Sequence, residues 1–220
     1  MISKNTFKFL KELEQNNNKA WFDANRPAYE TAKENVLDFS AAIIKELGKL
    51  DAGIAMLEPK QCIFRINRDV RFSKNKAPYK NNMGIYFNAQ GKKSDTAGYY
   101  IHLQTDASFV AAGIWQPAAP VLAKLRQEID YNFADWKKIM NAAAFKKNTD
   151  GLRTDDKLVR PPKGYDEENP AVDFLKHKSF VASVSLADAK FTGKDAVKNV
   201  MDFCKAAEPL VMFLNRGLDG

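Results

Sequence analysis

The stretch MGIYFNAQGKKSDTAGYYIHLQTDASFVAAGIW, residues 83–115, decides the fold class. Within it, "MGIYFNA" (83–89), "GYYIHLQ" (98–104) and "SFVAAGIW" (108–115) are rich in β-branched and aromatic residues. A loop containing Gly91 and the tight "TDAS" (105–108) separate them. Connections this short predict antiparallel neighbours. Upstream, Cys62, Phe64, Ile66, Val70 and Phe72 alternate with polar residues and predict a further strand. Downstream, "SFVASVSLA" (179–187) predicts one more.

Helices flank this block. Phe7, Leu10 and Leu13 mark the apolar face of a short helix following Ser3 or Asn5. "QNNN" (15–18) is a turn, and "KAWFDANR" is a short helical piece. From Pro27, suited to a helix start, the positions Tyr29, Val36, Phe39, Ile43, Leu47 and Leu50 repeat at helical spacing to an end near Gly48–Gly53. Further helices are predicted near 120–131 and 133–145. A loop rich in Pro, Gly and acid spans 148–172. The last helix carries Val197, Val200, Met201, Cys204 and Val211, with a kink or break expected before Pro209. The expected architecture is one α+β domain over residues 1–220, an antiparallel sheet of about five strands covered by N-terminal and C-terminal helices.

Composition narrows the function classes. No apolar run approaches the roughly 20 residues that span a bilayer, so no membrane partner is expected. The charged start MISKNTFKFLKELEQ lacks a signal-peptide core, and the distant Cys62 and Cys204 form no redox or metal motif. A reduced cytoplasmic setting is the expectation. Two histidines and two scattered cysteines argue against zinc, and no metal site is predicted. Phosphate-loop, dinucleotide-binding and nucleophile-elbow motifs are absent, and no cofactor is named by the sequence.

Charge is concentrated in "RINRDVRFSKNKAPYK", residues 65–80, with six cations against one acid. That segment accounts for +5 of the chain's net charge of +7. Such a cluster repels itself unless an anion, internal or bound, lies among it. Strict alternation places Arg65, Asn67, Asp69 and Arg71 on one face, and Arg68 among Phe64, Ile66, Val70 and Phe72 on the other. Arg68 therefore requires either a bulge near Asn67–Arg68 or a buried carboxylate partner. After Phe72, Pro78 and the Ser/Asn-rich run predict a shaped loop aiming Lys74, Lys76, Tyr79 and Lys80 at the strand arginines.

The run R65-x-x-R68-D69-x-R71-F72 followed by N75-K76-x-x-Y79 resembles the hallmark of a widespread bacterial family known as a domain of unknown function. "NNNKAWFDANRPAYE", "GYYIHLQ…GIWQP" and "RPPKGYD" are similar to the same family, so the resemblance covers most of the chain. It implies a recurring design and assigns no activity.

The leading expectation is binding of a small anionic or phosphorylated ligand by Arg65, Arg68, Arg71, Lys76 and Lys80. Whether the domain is also an enzyme stays open. Asp69, Tyr79 and His102 are the catalytic candidates; His102 shares a strand face with Tyr100 and Gln104. His177, in "LKHKS", is expected to be exposed. Two alternatives stand beside this reading. One is a nucleic-acid-binding module using Phe72, Tyr79, Tyr86 and Phe87; the other is an ion-pair network that only stabilises the fold. Trp21, Trp115 and the Tyr99–Tyr100 pair are read as core or as pocket lining.

Overall fold

Ser3 opens the first helix, its side chain accepting from the Asn5 amide. The structure, a computed structural model, describes residues 1–218. Helix α1 (Lys4–Gln15) is followed by α2 (Lys19–Ala24), whose cap Asn18 accepts from Trp21 N–H, and by α3 (Arg26–Leu47) with Pro27 in its first turn. Two short helices, α4 (Ala52–Ala55) and α5 (Pro59–Cys62), lead to strands β1 (Met83–Phe87), β2 (Gly98–Leu103) and β3 (Phe109–Ile114). Helices α6 (Ala119–Tyr131), α7 (Phe133–Asn141), α8 (Ala143–Asn148) and α9 (Val172–Leu175) precede β4 (Phe180–Ser185). Helices α10 (Asp188–Thr192) and α11 (Ala196–Arg216) complete the order.

The chain is α+β, about half helical, and its four strands form one open antiparallel sheet in the order β1-β2-β3-β4. All four lie within segments that the sequence predicts as strands, 83–89, 98–104, 108–115 and 179–187. The fifth expected strand, across 62–72, does not form. Cys62 instead closes α5, which Pro59 and a reciprocal Glu58–Gln61 capping box hold in helix. Beyond it only isolated antiparallel bridges remain, Ile63 with Ile85 and Asn67 with Tyr79. Pro78 has no N–H to offer a ladder, so continuous pairing is not available there.

By compactness the chain divides into two units. The first comprises residues 1–92, 100–110 and 185–201. Its core includes Phe9, Leu13, Phe39, Ile43, Leu47, Ile85, Phe87, Ile101, Leu103 and Phe191, all nearly inaccessible to solvent. The second comprises residues 93–99, 111–184 and 202–220. It centres on Trp136, whose ring meets Phe174, Phe180 and Phe213 at centroid distances of 5.2–5.8 Å. In this unit Leu152 bridges Ala182, and the amides of Asp150 and Arg153 bond the carbonyls of Ser183 and Val181. The long loop thus shields the β4 edge without adding a strand.

Gly113 has φ +127°, and a Cβ there would collide with the Phe180 carbonyl oxygen. Only glycine permits that approach. Pro209 lies inside α11, which continues through it to Arg216. Pro209 and Lys205, the residue whose carbonyl Pro209 cannot bond, are both exposed, so the interruption lies on the solvent side of the helix. Buried Phe203, Cys204, Ala207, Leu210 and Leu214 hold the helix on either side.

Candidate functional site

Residues 63–80 form an arm whose base is tied down and whose tip is open. At the base, Phe64 N–H donates to Gly84 O (3.0 Å), Lys80 N–H to Ile66 O (2.8 Å) and Arg68 N–H to Pro78 O (2.9 Å). Tyr79 is buried, with its ring stacked on Phe22 at 4.0 Å and 15°. The Asn17 side chain accepts from Tyr79 N–H (3.0 Å) and donates to Tyr79 O (2.9 Å), replacing a neighbouring strand's peptide.

The outer cations are engaged within the arm. Arg68 is half-buried, and its guanidinium donates to Ala77 O (3.1 Å) and Ser73 Oγ (3.3 Å). These neutral oxygens take the place of the expected carboxylate, and with the strand gone Arg68 faces the loop it braces. Arg71 grips Asp69 through Nε (3.0 Å) and Nη2 (2.7 Å), while its amide donates to the same carboxylate. Those bonds hold the Asp69 carboxyl below its ordinary range. The pair is exposed and contributes little to stability. Lys76 Nζ donates to Val70 O (3.1 Å), and Lys74 is exposed.

A second group of cations gathers around Phe64. Lys80 Nζ lies 5.5 Å and Lys92 Nζ 5.4 Å from its ring centroid. Lys92 also donates to Ile63 O (2.7 Å). Lys80 is half-buried, and burial first, then the neighbouring Arg65 charge, pushes its ammonium below the usual lysine range. Among the described residues none of Arg65, Lys80 or Lys92 has a carboxylate within ion-pair distance. Arg65 and Lys80 were legible as candidates, but Lys92 was not. It sits in the β1–β2 loop, and only the doubled lysine of "GKK" (91–93) could have drawn notice.

The sheet face next to Phe64 is aromatic. The Tyr100 ring meets Phe64 edge-on at 6.2 Å, and its hydroxyl lies over Gly84, where a Cβ would be 2.7 Å away. Tyr100 Oη contacts His102 Nδ1 (3.0 Å), and His102 Nε2 contacts Gln104 Oε1 (2.9 Å). The row is consistent when Tyr100 donates to Nδ1 and Nε2–H donates to Gln104. Burial raises the Tyr100 hydroxyl to about 12 and lowers the His102 imidazole, so both are neutral near pH 7. His102 stacks on Phe109 at 4.6 Å and 13°. Tyr86 on the same face is half-buried, whereas Phe87 points into the core.

His177 is buried rather than exposed, because Arg126 donates to the carbonyls of Leu175 (2.8 Å) and His177 (3.0 Å) and draws that turn inward. Its Nδ1 has no hydrogen-bond partner, and burial lowers the imidazole to about 4. Trp115 is 52% exposed under the Arg153 guanidinium, while Tyr99 is core. Among the described residues no group of three or more His, Cys, Asp or Glu is placed to hold a metal ion, and no helix is long and apolar enough to cross a membrane.

The model of a family of conserved hypothetical proteins, DUF2461, matches residues 5–213. The chain belongs to that family. No curated protein and no solved structure matches it. In this DUF2461 member two of the sequence runs are physically joined: Asn17 and Phe22 come from the N-terminal "NNNKAWF" run, and Tyr79 from the basic run.

Proposed function

We propose that this DUF2461 protein binds a small phosphorylated or otherwise anionic ligand at Arg65, Lys80 and Lys92, around the Phe64 ring. One observation carries the reading: Lys80 is half-buried beside the Arg65 charge, and no carboxylate among the described residues lies within ion-pair distance of its ammonium. A cation in such a place lowers stability unless an anion joins it. The proposal narrows the wider arginine and lysine set, since Arg68, Arg71 and Lys76 each have partners within the arm. It assigns no catalytic step. Asp69 is paired with Arg71, the Tyr79 ring is stacked away on Phe22, and both ring nitrogens of His102 are engaged.

Thermal unfolding in phosphate, sulfate and pyrophosphate tests the reading. A ligand that binds only the folded chain raises the melting temperature by mass action. Protection is expected for the wild type and for Arg71→Ala, and is lost in Lys80→Gln. Equal protection of Lys80→Gln, or none of the wild type by any anion, overturns the assignment.

A further inference from the structure

The tip of the arm carries a feature that the anion site does not use. Phe72 is 96% exposed. Burying a phenylalanine ring is favourable, so an unrestrained loop tends to fold the ring inward. Here the loop is braced against that collapse. Arg68 ties Ala77 O and Ser73 Oγ, Lys76 ties Val70 O, Asn75 Oδ1 accepts from Ala77 N–H, and Asp69 Oδ1 accepts from Arg71 N–H. The ring is held outward with cations beside it. The Arg71 guanidinium carbon is 5.9 Å from the ring centroid, and Lys74 and Lys76 are exposed on the return limb.

We propose that Phe72 is a stacking platform for single-stranded nucleic acid, with Arg71, Lys74 and Lys76 contacting phosphates on either side of the stacked base. The charge pattern selects this occupant. Cations spread along an arm match a ligand whose charges are also spread, whereas a compact anion needs only the cluster at the base. A bare aromatic ring matches a base, because every base offers a π-face. Arg71 uses Nε and Nη2 on Asp69, which leaves Nη1 for a phosphate. An anionic membrane would satisfy the cations but gain one ring's worth of apolar area, since Val70 is half-buried. An acidic protein surface would leave the ring without a partner of its own. This site stands or falls independently of the one at Lys80.

Fluorescence anisotropy of the full chain with a labelled oligothymidylate tests the proposal. Phe72→Ala is expected to weaken binding at least about tenfold, while Phe72→Trp retains it. Lys74→Ala should reduce the slope of log affinity against log salt by about 0.7, the value for one phosphate of a single strand. All three variants change exposed side chains and should melt like the wild type, with phosphate protection intact. Absence of single-strand binding, equal affinity of Phe72→Ala, or a Phe72-dependent affinity for phosphatidylserine vesicles in its place would each overturn it.

Discussion

The side-chain amide of Asn17 makes both backbone hydrogen bonds of Tyr79, donating to its carbonyl and accepting from its N–H. A turn residue thereby does for the arm what an adjacent strand does in a sheet, across a separation of 62 positions. The arrangement fixes Tyr79 over Phe22 and, one residue on, sets where the Lys80 ammonium emerges.

Asn17→Ala removes both partners from a buried residue, and a loss of about 1–3 kcal/mol in denaturant unfolding is expected. Asn17→Asp keeps the acceptor but cannot donate to Tyr79 O, so it should fall between. A change in Asn17→Ala within about 0.5 kcal/mol would show that water replaces the amide freely.

Lys80→Met should stabilise the unliganded chain, because it removes a half-buried cation set beside Arg65 while keeping the apolar stem over Phe64. Solvent screening limits the gain to about 0.5 kcal/mol. The same variant should lose anion protection. Destabilisation by Lys80→Met would mean that the cation–π contact with Phe64 outweighs the burial and the repulsion from Arg65.

Arg68→Ala should cost about 2 kcal/mol, within the range for hydrogen bonds made by a charged group, rather than the roughly 3–5 kcal/mol expected when a buried carboxylate is abandoned. Urea midpoints compared at constant m-value distinguish the two. A loss in the larger range would indicate a carboxylate that moves to meet Arg68 in solution.

Acidification should destabilise the chain through His177. Its folded pKa, about 4, lies below the ordinary 6.5, so the unfolded chain takes up the proton first. Stability is then complete above about pH 6.5, falls as the pH drops toward 4, and becomes flat in this respect below it. The loss is about 3 kcal/mol. His102, also lowered, acts in the same direction. His177→Gln should flatten most of the slope between pH 6.5 and 4, and an unchanged slope would refute the assignment.

Gly113→Ala should destabilise by at least about 2 kcal/mol, since it combines a left-handed φ with a collision against the Phe180 carbonyl. A neutral result in thermal unfolding would require β3 and β4 to separate locally at no cost.

Strands β1 to β4 were legible because each is a short run rich in β-branched and aromatic residues, and the long helices because their apolar positions recur at helical spacing. The arm was not. Cys62, Phe64, Ile66, Val70 and Phe72 imitate a strand, yet Cys62 belongs to a helical turn, and Phe64 and Phe72 are exposed at 40% and 96%. Alternation over so few positions cannot separate a ladder from two bridges. Charge density did point to the arm, but not to which cations lack partners. That depends on Lys92 arriving from another loop and on backbone oxygens of Ala77 and Val70, which no side-chain pattern records. The inward turn of His177 likewise rests on Arg126, 51 positions away.

The braced arm tip also governs how the native chain meets a protease. Arg71, Lys74 and Lys76 place three tryptic bonds on an exposed loop, whereas Arg68 and Lys80 are held against the base. Trypsin should therefore nick the folded protein first between residues 71 and 77. Tyr79, Lys80 and Phe64 remain bonded to Asn17, Ile66 and Gly84 after such a cut, so the two fragments should co-migrate in gel filtration until denaturant parts them.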